Sequence, residues 1–282
     1  MLLNGKVSII TGGSLGIGLA ISKIFAKEGS NLVIVSNDKA EFENTLDLSQ
    51  LFSVHVETFK TDVSVPDDVK NMVDFTLDKF GTIDILVNCA GIYGPIGLIT
   101  DVDVKQWLAT VNINLYGTFL CMRAVLPIMM KKNKGKIVNM SGGGGASPLP
   151  RFSAYGTSKA GVIRLTETAA NEVEDYKIDI NAIAPGPVNT RLLDQALAAG
   201  DAAGDSFKTK AIKQKEEGGV PPEKVAELAL FLSSAESDGL SGRLISLLWD
   251  KWKDSQNHLK EIMKSDVYTM RRIIPEDRGY KW

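Results

Sequence analysis

Thr11-Gly12-Gly13-Ser14-Leu15-Gly16-Ile17-Gly18 is the stretch whose reading decides the fold. The apolar run Val7-Ser8-Ile9-Ile10 before it suits a buried strand, and Leu19, Ala20, Ile21, Ile24 and Phe25 after it suit one face of a helix. The stretch therefore joins a strand to a helix. Glycines at such a junction permit a tight turn, let a phosphate approach the backbone and let the helix pack closely on the strand, while the free N–H groups at the helix start face the anion. Glycine-rich turns also punctuate ordinary loops, so the rest of the chain must decide between the two readings.

At 282 residues and 44% hydrophobic content, the chain can bury a substantial core as one large α/β domain or two small ones. A net charge of -2 provides no basic field, which argues against nucleic acid as a partner. Cys89 and Cys121 stand far apart and form no C-x-x-C pair, and His55 and His258 are the only histidines. That argues against a metal site, a disulfide framework or a Ser-His-Asp triad, and favours two buried thiols in a reducing compartment. Residues 1–6 run directly into the first strand, and no apolar run is expected to reach bilayer-spanning length. The expected location is the cytoplasm, with no membrane partner.

Further on, strands are expected at Asn31–Ser36, around Val54–Phe59, and at Ile83–Val87, Lys136–Met140, Ile178–Ile183 and Gly242–Ile245. Helices are expected over Lys39–Leu51, Pro66–Phe80, Asn114 to about Lys132, Tyr155 towards Glu174, and Pro221–Leu232. This alternation predicts a doubly wound parallel sheet of Rossmann-like α/β class, three layers deep, in one domain over residues 1–248. Residues 191–219, rich in Ala, Gly, Lys and Asp, read as a mobile substrate lid. The extension 249–282 carries Trp249, Trp252, Tyr268, Tyr280 and Trp282, too aromatic for a disordered tail, and is expected to dock. The helix after Asn114 is apolar on nearly every side, which one sheet contact cannot cover; a homodimer or homotetramer is the natural solution.

The spacing G-x-x-x-G-x-G preceded by Thr11, together with Asn88-Cys89-Ala90-Gly91, Asn114, Tyr155-x-x-x-Lys159 and Pro185-Gly186, resembles the short-chain dehydrogenase/reductase family over about residues 1–247. The resemblance implies an NAD(P)(H) cofactor held by Gly12, Ser14, Leu15, Gly16, Ile17, Gly18, Ser36, Asn37, Asp62, Val63, Asn88, Ala90, Gly91, Tyr155, Lys159, Pro185, Gly186, Val188 and Thr190. An acid at the end of the second strand binds the ribose 2′-hydroxyl of NAD, and a base accepts the 2′-phosphate of NADP. Ser36-Asn37 offers neither, and without an acid the sequence leans to NADP(H), with Asp38 as the residue that would overturn the lean. Asp62 or Ser64 has a second reading as a cap of the following helix, and Cys89, where the family has Asn, reads as a packing thiol.

Tyr155 and Lys159, four apart, share one helix face. Making a tyrosine titrate near neutrality requires a shift of about three units, or about 4 kcal/mol. An ammonium about 4 Å away supplies roughly that at an effective dielectric near 20. The implied reaction is reversible hydride transfer between nicotinamide and a carbonyl or secondary-alcohol carbon. Tyr155 is the acid/base, Lys159 lowers its pKa and holds the ribose, Asn114 orients a relay water, and Ser141 hydrogen-bonds the substrate oxygen. Counted back without a gap, the family serine position falls on Gly142; a one-residue insertion is expected to restore Ser141, with Ser153 or Ser147 as substitutes. A low-turnover NAD(P)-binding sensor or scaffold is the alternative, and a nucleotide-sugar epimerase is disfavoured by the glycine spacing. The substrate, of 3-oxoacyl, sugar or polyol type, is not legible; Lys208, Lys210, Lys213 and Lys215 read as a solvated face before they read as an anion site.

Overall fold

The computed structural model describes residues 1–282. In chain order the strands are β1 Val7–Thr11, β2 Asn31–Ser36, β3 Val56–Lys60, β4 Ile85–Asn88, β5 Gly135–Met140, β6 Ile178–Ala184 and β7 Leu244–Ser246. The helices are α1 Gly16–Lys27, α2 Leu48–Phe52, α3 Pro66–Phe80, α4 Val104–Val111, α5 Gly117–Lys131, α6 Gly143–Ala146, α7 Ser153–Glu172, α8 Arg191–Ala198, α9 Asp205–Glu217, α10 Pro222–Ser233 and α11 Leu259–Met263. The strands form one parallel sheet in the order β3-β2-β1-β4-β5-β6-β7. The doubly wound α/β architecture is the one the alternation predicts.

Strand periodicity builds two cores. Ile10, Leu32, Ile34, Ile85, Val87 and Val138 face one side, where α1 and α10 cover them. Their neighbours Ile9, Val33, Val35, Leu86 and Ile137 face the other, under α3, α5 and α7. Because the chain leaves β1 towards β2 and β3 but resumes on the opposite side with β4, a crevice opens beyond the carboxyl ends of β1 and β4. That crevice positions the site.

Several expectations change in detail. The helix expected over Lys39–Leu51 is a 3-10 segment, Lys39–Thr45, followed by the short α2. Here Asp38 caps Ala40 N, and Asn44 Nδ2 turns to the carbonyl of Ser14, so side chains serve the glycine loop rather than a long helix. The long helix begins at Val104, capped by Asp103, and passes through a π turn at Asn112–Tyr116 before continuing as α5. Read as one 28-residue helix, Val104–Lys131 is apolar and long enough by composition to cross a membrane. This corrects the expectation that no run approaches that length; in the fold its Leu120, Val125 and Met129 are buried in the second core.

The segment expected as an irregular lid is two helices, α8 and α9. Lys208 pairs with Asp201 and Lys215 with Asp194, both at 2.7 Å, which answers to the solvated-face reading of that lysine run. The first half of the extension docks on its own chain. Trp252 packs on Phe231 with ring centroids 5.3 Å apart, Ile262 joins the first core, and the buried Arg243 donates to the carbonyls of Ile262 and Ser265. Trp249, Tyr280 and Trp282 remain exposed.

Candidate active site

The glycine loop works through close approach. Gly12, at φ +65, lies with its missing Cβ only 3.0 Å from the backbone of Ala90, so a side chain there would push the β4 end away. A Cβ on Gly18 would run into the carbonyl oxygen of Gly12. No side chain caps the start of α1, so its first N–H groups stay available to an anion. Thr11 Oγ1 accepts from the N–H groups of Cys89 (3.1 Å) and Ala90 (3.2 Å), pinning the two strand ends on either side of the crevice. The residues present fit a dinucleotide: the cradle exists only because side chains are missing where a phosphate would approach.

The crevice is lined by Gly12, Leu15, Gly16, Ile17 and Gly18 from the loop, Ser36 and Asn37 from the end of β2, and Asp62 and Val63 after β3. Ala90, Gly91 and Thr190 complete the expected residues found there. Ser14 is fully buried behind the loop, bonded to Glu41. Asn88 points into the sheet and donates to Asn139 Oδ1 at 2.8 Å, joining β4 to β5. Pro185, Gly186 and Val188 follow β6 but do not line this cleft; the cleft lining resumes at Thr190, at the start of α8. Asp62 accepts from both the N–H and the hydroxyl of Ser64, a turn role that coexists with its place in the wall.

Beside the cleft, α7 brings Tyr155 and Lys159 together. Lys159 Nζ lies 5.8 Å from the Tyr155 ring centroid and donates to the carbonyl of Met140 at 2.9 Å. Burial lowers its pKa to about 8, opposed by the nearby Cys89 thiol. Burial pushes Tyr155 above the usual phenol range, reinforced by Tyr93, whose ring meets it edge-on at 4.7 Å. In the chain by itself, then, the tyrosine is held protonated rather than brought towards neutrality. Burial also raises Cys89 to about 11, which suits a packing thiol. Asn114 is fully buried in the π turn: its Oδ1 accepts from Ile92 N, and its Nδ2 donates to Ile92 O and Ser158 Oγ. It clamps the segment after β4 against α7, with Gly91 between Asn114 and Lys159.

Ser141 is buried, and its hydroxyl donates to the carbonyl of Lys159 at 3.1 Å, away from the tyrosine hydroxyl. A Cβ on Gly142 would lie 2.5 Å from Tyr155 Oη, so the ungapped position, not Ser141, faces the tyrosine. Ser153 accepts from Trp107 Nε1, and Ser147 is exposed on the loop after α6. Sequence reading passed over Glu41, Arg191 and Gln195, all in the cleft wall. Glu41 lies five residues beyond β2 in a segment read as plain helix, and only the fold turns it back onto the glycine loop.

Comparison with known proteins agrees with this geometry. The profile of the short chain dehydrogenase family matches residues 6–200. A 3-oxoacyl-[acyl-carrier-protein] reductase, FabG, of Thermotoga maritima is 34% identical over 248 residues, covering 88% of this chain and 98% of that protein. An NAD+-bound xylitol dehydrogenase superposes with a TM-score of 0.82 at 28% identity, over 87% of this chain and 98% of its own. An actinorhodin polyketide ketoreductase with NADPH gives 0.78 at 25% identity, over 86% and 95%. The chain belongs to the short-chain dehydrogenase/reductase family and is an oxidoreductase acting on CH–OH groups with a nicotinamide cofactor.

Proposed function

We propose that the chain interconverts a ketone and a secondary alcohol, with Tyr155 as the proton donor and acceptor. The single observation that carries this reading is the buried pairing of Tyr155 and Lys159 on α7, beside a dinucleotide-shaped cleft. Bound there, the nicotinamide supplies or receives the hydride. Tyr155, held protonated by burial, gives its proton to the oxygen of the carbonyl as that oxygen gains charge. Lys159, with a pKa of about 8, stands close enough to neutrality to return a proton to the phenol. Asn114 fixes the segment after β4 against α7, and so acts by positioning. In this reading Tyr155 meets the substrate oxygen without a serine hydroxyl beside it, a reading supported by the glycine at 142 facing the phenol and by the Ser141 hydroxyl turned to the Lys159 carbonyl.

Relatives named for a 3-oxoacyl reductase and a xylitol dehydrogenase support a carbonyl or polyol substrate class. A row of exposed apolar residues on the long helix, Val104, Leu108, Tyr116 and Phe119, supports pairing with a second copy of the chain. The test is a ketone and polyol panel with NADH and NADPH, run on the wild type and on Tyr155→Phe. Turnover in the wild type and its loss in the variant, with nucleotide binding retained, is the expected result; full activity in the variant would sink the assignment.

A further inference from the structure

Glu41 is an acid that the fold carries into the cleft wall between the glycine loop and the end of β2, where the adenosine end of a dinucleotide would lie; Asp62, the other acid of the wall, is turned to Ser64. Its Oε2 accepts from Ser36 Oγ at 2.7 Å and from Ser14 Oγ at 2.9 Å, and its Oε1 accepts from Arg191 at 2.9 Å. The carboxylate is 14% exposed, whereas the arginine is 76% exposed. Asn44 adds a second tie, donating both to the carbonyl of Ser14 and to that of Glu41. These contacts hold the acid in place before any nucleotide arrives.

We propose that Glu41 selects the dinucleotide without a 2′-phosphate, making the protein NAD(H)-dependent against the lean that Ser36-Asn37 gives. The inference rests on the reading of this cleft as the nicotinamide-cofactor site and refines it. A carboxylate fixed by three donors cannot swing away, so a phosphate beside it meets repulsion in a poorly screened place. Arg191 does not cancel this. It is engaged with Glu41, reaches in from solvent, and sits at the start of α8, so greeting a phosphate would cost it the ion pair. The two serine hydroxyls are likewise committed to the carboxylate rather than free for a phosphate. Fold likeness does not decide the matter, since the structural neighbours include both an NAD+-bound and an NADPH-bound protein.

The experiment is equilibrium binding of NADH and NADPH to the full chain, read by nucleotide fluorescence, for the wild type, Glu41→Gln and Glu41→Ala. The wild type is expected to bind NADH about 100-fold tighter than NADPH, and both variants to close that gap at least about tenfold by gaining affinity for NADPH. Equal or tighter NADPH binding by the wild type overturns the selection while leaving the cofactor site intact. So does a loss of NADPH affinity in Glu41→Gln, which would mean that the acid serves only to aim Arg191 at the phosphate. Binding of neither nucleotide to the wild type would overturn the cofactor site itself. The wild-type ratio decides even where a variant folds poorly.

Discussion

Lys159 is a buried ammonium whose cost is felt in folding. Its pKa of about 8 in the folded chain lies below the 10.5 of an exposed lysine. Between those values the unfolded chain binds the extra proton, so stability rises with pH through that window; below about 8 both states are charged and the full cost of burial stays. Lys159→Met should therefore raise the unfolding free energy at pH 7 by about 1–2 kcal/mol, after the lost bond to the Met140 carbonyl is offset. The same variant should flatten the rise in stability between pH 8 and 10 and end turnover, which urea melts at pH 7 and 9.5 and a single assay would check. For Ser141 the expectation is the reverse. Its hydroxyl serves the Lys159 carbonyl, so Ser141→Ala should lower stability by about 1 kcal/mol and change kcat by only a few-fold. A fall in kcat of orders of magnitude would instead put that hydroxyl on the substrate.

At the scale of elements, the extension separates into a docked half and an exposed end. Residues 252–262 supply Trp252 and Ile262 to the first core, and they occupy the buried Arg243. Ending the chain after Trp249 should cost about 3–5 kcal/mol, because Phe231 and Arg243 lose their cover together. Ending it after Gly279 should change the melting temperature little, since Tyr280 and Trp282 are exposed. Thermal melts of the two truncations separate these outcomes. The elements were legible to different degrees for physical reasons. Pro66–Phe80 announced itself by proline at its start and glycine after its end, and the fold uses those bounds unchanged. The strands were legible because a sheet covered on both faces needs continuous apolar runs. The single helix expected over Lys39–Leu51 is instead a 3-10 segment and a short α2, because its ties to Ser14 lie 30 residues away in sequence, beyond the reach of local periodicity. The candidate pair was legible as a tyrosine and a lysine four apart, but the direction of the tyrosine shift was not. That direction depends on burial by Tyr93 and neighbours, which sequence spacing does not carry.

At the scale of the whole molecule, a sheet covered on both faces and a crevice at its switch point account for where the cleft sits, and the long helix offers the face that the proposed second copy would cover. Leu108 and Phe119 lie exposed on that helix, so Leu108→Asp should shift sedimentation towards the monomer if a second copy covers them. Unchanged sedimentation would show the row is solvent-facing in solution. The central claim is that this cleft moves a hydride and that Tyr155 moves the proton. Its most direct measurement is mass spectrometry of the alcohol formed from a ketone panel with C4-deuterated nicotinamide cofactor. The account predicts one deuterium on the carbinol carbon with the wild type and none with nucleotide-loaded Tyr155→Phe. Equal labelling by the variant, or an alcohol formed without label from cofactor deuterated on both faces, would contradict it.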